Sequence, residues 1–345
     1  MSEAGSTRGL SPVFDIYGFR FRVGGDAPDA IDGIAQDYEF FRTAGDAECH
    51  VEIEVSYREP DYDSLPECDA TLYTPRNVVY DIDERRYLDF GGRGLAVYDR
   101  KAGRFHIVSR DGDLLYEAAY LFLLSRIGEF LDRRRLHRLH ALAVAISGRA
   151  VLVPLPSGGG KSTLGMNLLR YPEVKILSDD SPFIDRRGGV HAYPLRLGLL
   201  SNHRDEIPAD QRREIRRIEF DPKVIANYSY FADRVVPRAE PGLLLIGRRS
   251  MSGRCRLERV GVREGMGTMM SDCVVGLGLY QGIEFLLRRS AFELLSNIGP
   301  GWSRFRNALA LVRRSRVYKV HLGRDSAANA RAIMELAHQS FGKAE

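Results

Sequence analysis

The chain has few cysteines and no concentrated charge. Its four cysteines, Cys49, Cys68, Cys255 and Cys273, are scattered through 345 residues without a C-x-x-C pair. That leaves no disulfide framework or cysteine zinc site to expect, and points to reduced thiols in a cytoplasm. Fifty basic side chains against 46 acidic ones give a formal net charge of +4, too little to imply nucleic acid. No apolar run reaches the length of a membrane span, and the start, Met1-Ser2-Glu3-Ala4-Gly5-Ser6-Thr7, carries no basic–apolar–cleavage pattern. Repeats and low-complexity tracts are absent. An ordinary apolar content at this length predicts a cytoplasmic protein, with neither membrane nor nucleic acid among its partners and with room for two domains.

Residues 1–115 read as a β-rich or α+β accessory domain. Val13 to Val23 mixes alternation with aromatics, as a half-buried strand does, and His50-Val51-Glu52-Ile53-Glu54-Val55 alternates cleanly. Short strands are expected around Val78–Tyr80, Tyr87–Phe90, Leu95–Tyr98 and Phe105–Val108, separated by turn signals such as Gly91-Gly92 and Asp111-Gly112. This domain carries no catalytic constellation, so its expected role is scaffold or acceptor recognition. A long apolar helix from Leu114 to Leu131 follows, closed by Arg133-Arg134-Arg135. Those arginines either complement the helix C-terminus or form a patch for phosphate or acidic peptide.

The remainder, 116–345, contains the decisive motif: Pro156-Ser157-Gly158-Gly159-Gly160-Lys161-Ser162-Thr163, between the apolar run Ala150-Val151-Leu152-Val153-Pro154 and the helical pattern from Leu164. Strand, glycine-rich turn and helix are the setting of a phosphate-binding P-loop. Successive backbone N–H groups form an anion nest at a positive helix end. Lys161 then reaches the β- and γ-phosphates of ATP, and the Ser162 hydroxyl ligates Mg²⁺. Leu155 stands where the usual pattern has its first glycine.

Two further elements flank this loop. Val174-Lys175-Ile176-Leu177-Ser178-Asp179-Asp180 reads as a buried, parallel-type strand ending in two carboxylates. One acid is expected to hold the metal and the other to accept a proton, with Asp179 favoured as base and Asp180 beside Ser162 as metal partner. Upstream, His140 precedes the strand Ala141–Ile146, which turns at Ser147-Gly148-Arg149 into the loop strand. That hairpin would carry His140 alongside the phosphate site.

In its order of histidine, P-loop and Asp-Asp strand end, the stretch His140–Asp180 resembles the HPr kinase/phosphorylase-like family, within the wider phosphoenolpyruvate-carboxykinase-like P-loop group. It is most similar to HPr-kinase-related proteins with an extra N-terminal domain. The resemblance implies an α/β fold, an HPr-kinase-like P-loop domain with a mixed sheet behind a β-rich or α+β domain. It also implies ATP- and Mg²⁺-dependent phosphorylation of a serine-type hydroxyl, with His140 supporting the acid pair; the alternatives are a nucleotide-gated non-catalytic adaptor and, less favoured, a phosphoenolpyruvate-carboxykinase-like enzyme. A Glu-x-Arg-Gly-Leu-Gly segment is absent, which points to an acceptor other than HPr: another peptide or protein, or a small metabolite.

The remaining segments carry weaker signals. Arg196 either faces phosphoryl oxygens or is a structural surface arginine. Residues 205–220, rich in Arg and Glu, read as a solvated helix face. Gly276–Phe285 reads as a close packing site or helix start, and Trp302 as an anchor of the last helical layer.

Overall fold

A computed structural model describes residues 12–45, 47–156, 158–198, 205–216, 222–270 and 298–342. Two compact units divide between Ile127 and Gly128. The sequence-based boundary at 115/116 lies near the start of the helix that carries this division.

In the first unit, Val13–Ile16 (β1) and Phe19–Gly25 (β2) form a hairpin where the sequence suggested a single strand. The break is at Tyr17-Gly18, both at positive φ (52° and 93°), which gives the two-residue turn that suits the twist of a hairpin. Pro28–Asp37 (α1) and Arg42–Thr43 (β3) lead to Val51–Tyr57 (β4), parallel to β2. On β4, Val51, Ile53 and Val55 are buried while Glu52 and Glu54 are exposed, the period-two alternation legible in the sequence. Leu72–Tyr73 (β5), Val78–Ile82 (β6), Arg85–Asp89 (β7), Gly94–Asp99 (β8) and Arg104–Ser109 (β9) complete a nine-stranded sheet in the order β3-β1-β2-β4-β9-β8-β7-β6-β5. Gly112–Arg133 (α2) lays Phe122 on Phe105 of β9, with the rings stacked 4.0 Å apart.

Among the ionisable side chains this unit buries, Arg86 is held by a carboxylate. Arg86 is 1 % exposed and forks onto Asp81 at 2.7 and 2.8 Å, and Arg100 reaches the same carboxylate at 2.8 Å. Burial alone would raise the Asp81 carboxyl, but the two guanidinium groups hold it below its ordinary value. A group depressed in the fold contributes stability above its ordinary pKa and loses it as pH falls through the folded value. Asp81→Asn strands the Arg86 charge, so at neutral pH it should destabilise the unit by about 3 kcal/mol. In urea melts, that gap should narrow below the ordinary carboxylate range, where wild-type Asp81 is also protonated. A gap constant with pH would mean that the pair does not stabilise the unit through charge.

The second unit opens with His137–Arg138 (β10), then Ala141–Ile146 (β11) and Arg149–Pro154 (β12). β11 and β12 are antiparallel and join through Ser147-Gly148, again both at positive φ. Lys161–Leu168 (α3) leads to Lys175–Ser178 (β13), followed by Phe183–Ile184 (β14), Val190–His191 (β15) and Leu197–Gly198 (β16). Arg212–Ile215 (β17) and Lys223–Ala226 (β18) pair beside β16 in a small antiparallel sheet. Arg238–Arg249 (β19), Arg256–Arg259 (β20), Val262–Met269 (α4), Ile298–Arg314 (α5), Arg316–Leu322 (β21) and Ser326–Phe341 (α6) complete the unit. β19 lies parallel to both β12 and β21, whereas β11 is antiparallel to its neighbours, so the sheet is mixed. The molecule is thus α/β with mixed sheets.

Several expectations change here. β13 pairs antiparallel with β11, because the β11–β12 hairpin separates it from the loop strand. Residues 212–215 form a strand instead of a helix: their register with β18 satisfies the backbone, and the opposite charges need no helical spacing. Residues 217–220 and Gly276–Phe285 lie outside the described residues, as does Cys273. Trp302 is 63 % exposed on α5 and anchors no core. Among the described residues, no helix is long and apolar enough to cross a membrane.

Leu155 is a core residue. It is 2 % exposed, packed with Val153, Leu164, Leu245 and Met334. A Cβ on Gly247 would come within 2.5 Å of its Cδ2. The missing side chain on β19 therefore makes room for the leucine that replaces the loop's usual first glycine.

Candidate functional site

Four chain segments converge at one end of the second unit: the start of β11, the end of β12, the start of α3 and the end of β13. The register of Ala141 with Pro154 puts His140 beside Leu155, and the Ala141 N–H donates to the Asp180 carbonyl at 3.1 Å. Strand pairing alone thus brings the histidine, the glycine-rich turn and the acid pair together.

The turn itself is tightly wound. Gly158 and Gly160 have φ of 73° and 94°, in the left-handed region that L side chains avoid, and the Gly159 N–H donates to the Pro156 carbonyl at 2.9 Å. Gly160 is the N-cap residue of α3, whose first residues are Lys161, Ser162 and Thr163. Pro156 and Gly158 are exposed, while Ser157 lies outside the described residues.

Lys161 is 8 % exposed, and its ammonium sits among polar groups of the turn and its flanks, the Pro156 carbonyl at 3.5 Å among them. It lies 2.9 Å from His140 Nε2, 2.8 Å from the Leu155 carbonyl and 3.3 Å from Asp180 Oδ1. An ammonium only donates, so His140 Nε2 must accept and the ring proton sits on Nδ1. That nitrogen is 3.4 Å from Asp180 Oδ1. Desolvation by the surrounding protein opposes ionisation of Asp180, but His140 and Lys161 outweigh it and hold this carboxyl well below the usual range. Half of the Asp180 side chain is open to solvent.

Asp179 faces elsewhere. Its Oδ2 accepts from the Ser162 hydroxyl at 2.7 Å and the Gly198 N–H at 3.2 Å. Burial pushes its carboxyl above the ordinary value, against the pull of Lys223, Ser162 and the Gly198 N–H and with added repulsion from Asp180. Its Oδ1 is buried with no hydrogen-bond partner. An orphaned, desolvated carboxylate oxygen beside a serine hydroxyl is a donor set that suits a hard divalent cation. Among the described residues, no group of three or more His, Cys, Asp or Glu is placed to hold a metal.

Two cations here carried no sequence motif. A Cβ on Gly198 would come 2.1 Å from Lys223 Nζ and 3.1 Å from Ser162 Oγ, so the lysine lies directly over that glycine. Arg249, at the C-terminal end of β19, has Nη1 3.6 Å from a Cβ built on Gly160. Parallel strands β12 and β19 release their chains on the same edge, which is why an arginine far along the sequence reaches the turn. Only the pairing of β16 with β18 and of β12 with β19 shows these neighbours. Arg196 is half-buried between β15 and β16, a short way before Gly198.

Gly198→Ala offers a local test. The added methyl group must displace the Lys223 ammonium from beside Ser162 and Asp179, on a short buried strand at the edge of the small three-stranded sheet. Any magnesium-dependent ligand binding should weaken several-fold while the thermal midpoint changes little. Unaltered binding would show that the Lys223–Ser162–Asp179 arrangement is incidental.

No protein-family model matches the chain, and comparison with curated proteins finds no match.

Proposed function

We propose that the second unit is an HPr-kinase-like P-loop phosphotransferase that uses Mg²⁺-ATP to phosphorylate a serine-type hydroxyl. The observation that carries this reading is the division of labour within the acid pair. Asp180 is half-exposed and lies 3.3 Å from the Lys161 ammonium and 3.4 Å from His140 Nδ1, whereas Asp179 is buried against Ser162 with one oxygen unpartnered. Adjacent carboxyls with different partners and different exposure are suited to different roles.

The proposed roles rest on this arrangement. The turn 156–160 and the start of α3 receive the phosphates through backbone N–H groups. Lys161 exchanges the Leu155 carbonyl for phosphate oxygen, and Arg249 adds positive charge on the other side of Gly160. Asp179 and Ser162 would hold magnesium, which neutralises phosphate charge when bound. The acceptor hydroxyl oxygen forms a bond to the γ-phosphorus as the bond to the β–γ bridging oxygen breaks. ADP leaves, and the hydroxyl proton passes to Asp180. His140 Nδ1 lies 3.4 Å from that carboxylate without a hydrogen-bond partner, so it is a close neighbour of the proton acceptor and not a fixed link to it. This reverses the favoured sequence-based roles of the two acids, because Ser162 bonds Asp179 and not Asp180.

The acceptor is a peptide, a protein or a small metabolite in the cytoplasm, and the first unit is proposed to help recruit it. Incubation with γ-labelled ATP, magnesium and candidate hydroxyl acceptors tests the reaction. An alkali-labile, acid-stable phosphate ester is expected on the acceptor. Tight nucleotide binding with no transfer to any acceptor would favour a nucleotide-gated adaptor instead.

A further inference from the structure

The second unit has another concentration of charge, built from the end of α2, the β14–β15 turn and α5. Two adjoining cavities open there. One, of about 440 Å³, is lined by Arg135, Arg186, Trp302, Arg306, Asn307 and Arg313, with Ser303 alongside. The other, of about 480 Å³, shares Arg135 and Arg186 and adds Arg134, Arg187 and Arg238. The shared arginines make the two cavities one elongated, open track.

A buried polar frame holds this surface. Asp132 Oδ1 lies 2.7 Å from His137 Nδ1, and His137 Nε2 lies 2.7 Å from Ser303 Oγ. Arg304 pairs with the same aspartate. Asn307 Nδ2 donates to the carbonyls of Arg135 at 2.9 Å and Ile184 at 3.1 Å, tying three segments together. The acids nearby are already committed: Asp132 to His137 and Arg304, and Asp185 to His191 at 2.9 Å and Arg238 at 3.3 Å. Arg135, Arg186, Arg306 and Arg313 are exposed and make no ion pair among the described residues. The frame thus presents guanidinium groups outward on a fixed support.

We propose that this track binds an acidic peptide segment of a protein partner. Guanidinium forks match carboxylates two-to-two and keep their charge at every physiological pH. The joined cavities suit a ligand with several carboxylates along an extended chain better than a single compact anion. The exposed indole of Trp302, stacked on Phe305 at 5.6 Å, supplies an aromatic face at one end. Arg134 and Arg135 thereby acquire a role beyond closing a helix, while Arg133 pairs with Glu129. If the phosphotransferase reading holds, the partner is the acceptor protein. Docking needs no nucleotide, so either reading can fail without the other.

Trp302 is the only tryptophan in the chain, which makes its fluorescence a reporter confined to this surface. A short Asp- and Glu-rich peptide, titrated into the full-length protein without ATP, should give a saturable change in emission that weakens as salt is raised. The same peptide with Asn and Gln in place of the acids should give none. Arg306→Glu and Arg313→Glu, both at exposed positions, should each weaken binding about tenfold, a loss of about 1.4 kcal/mol. No saturable change, an equal response to the amide peptide, or undiminished binding in the folded double variant would overturn the proposal. So would tighter binding of a single-stranded oligodeoxythymidylate, which would make stacking on Trp302 and backbone phosphate the basis of recognition.

Discussion

Asp180→Asn is expected to lower phosphoryl transfer by about 10² to 10⁴-fold, the usual contribution of a positioned general base. Nucleotide affinity should stay within a few-fold of wild type. The asymmetry follows from placement. Asp180 sits at the open side of the cluster, where an acceptor hydroxyl can approach, and its contacts are His140 and Lys161. Asn keeps the shape and removes both the negative charge and the proton-accepting capacity. Asp179→Asn should behave differently, because its carboxylate faces Ser162 and carries the orphaned oxygen. Magnesium dependence should be lost first, and turnover with it. Single-turnover rates and magnesium titrations on both variants separate the roles. Equal effects on rate and metal dependence would mean that the acids act as one unit, and full activity in both would remove the kinase reading.

Lys161→Ala should weaken ATP binding roughly ten- to hundredfold, the cost of deleting one charge-assisted contact to phosphate. It should also disturb the resting site. The ammonium now satisfies His140 Nε2 and the Leu155 carbonyl and stands 3.3 Å from Asp180, so its removal leaves His140 and the carboxylate to each other. Affinity that matched wild type would show that Lys161 is a bystander.

The core of the candidate site was legible in the sequence because its signals are local. An apolar strand, three glycines, Lys-Ser-Thr and a helical pattern specify the turn without distant information. The Ser147-Gly148 turn likewise specifies the β11–β12 hairpin and thus the place of His140. What was hidden depends on pairing between distant segments. The antiparallel partner of β13 is set by insertion of the hairpin, which no period within 174–178 reveals. Lys223 and Arg249 reach the turn through the neighbours of β16 and β12. Leu155 looked like a defect in the motif until Gly247 was placed beside it. Trp302 illustrates the opposite error: a lone large aromatic invites a core assignment, yet it sits exposed among arginines. The Arg-Glu stretch at 212–215 fits helical spacing and strand pairing equally well, and its partner β18 decides.

The most direct test of the central claim is calorimetric titration of ATP into the purified protein with and without magnesium, repeated on folded Lys161→Ala and Asp179→Asn. Saturable one-site binding strengthened by magnesium is predicted for the wild type, with overall affinity reduced in Lys161→Ala and the magnesium enhancement lost in Asp179→Asn. Absence of saturable binding, or identical isotherms for all three proteins, would contradict a phosphate-binding site at residues 156–163.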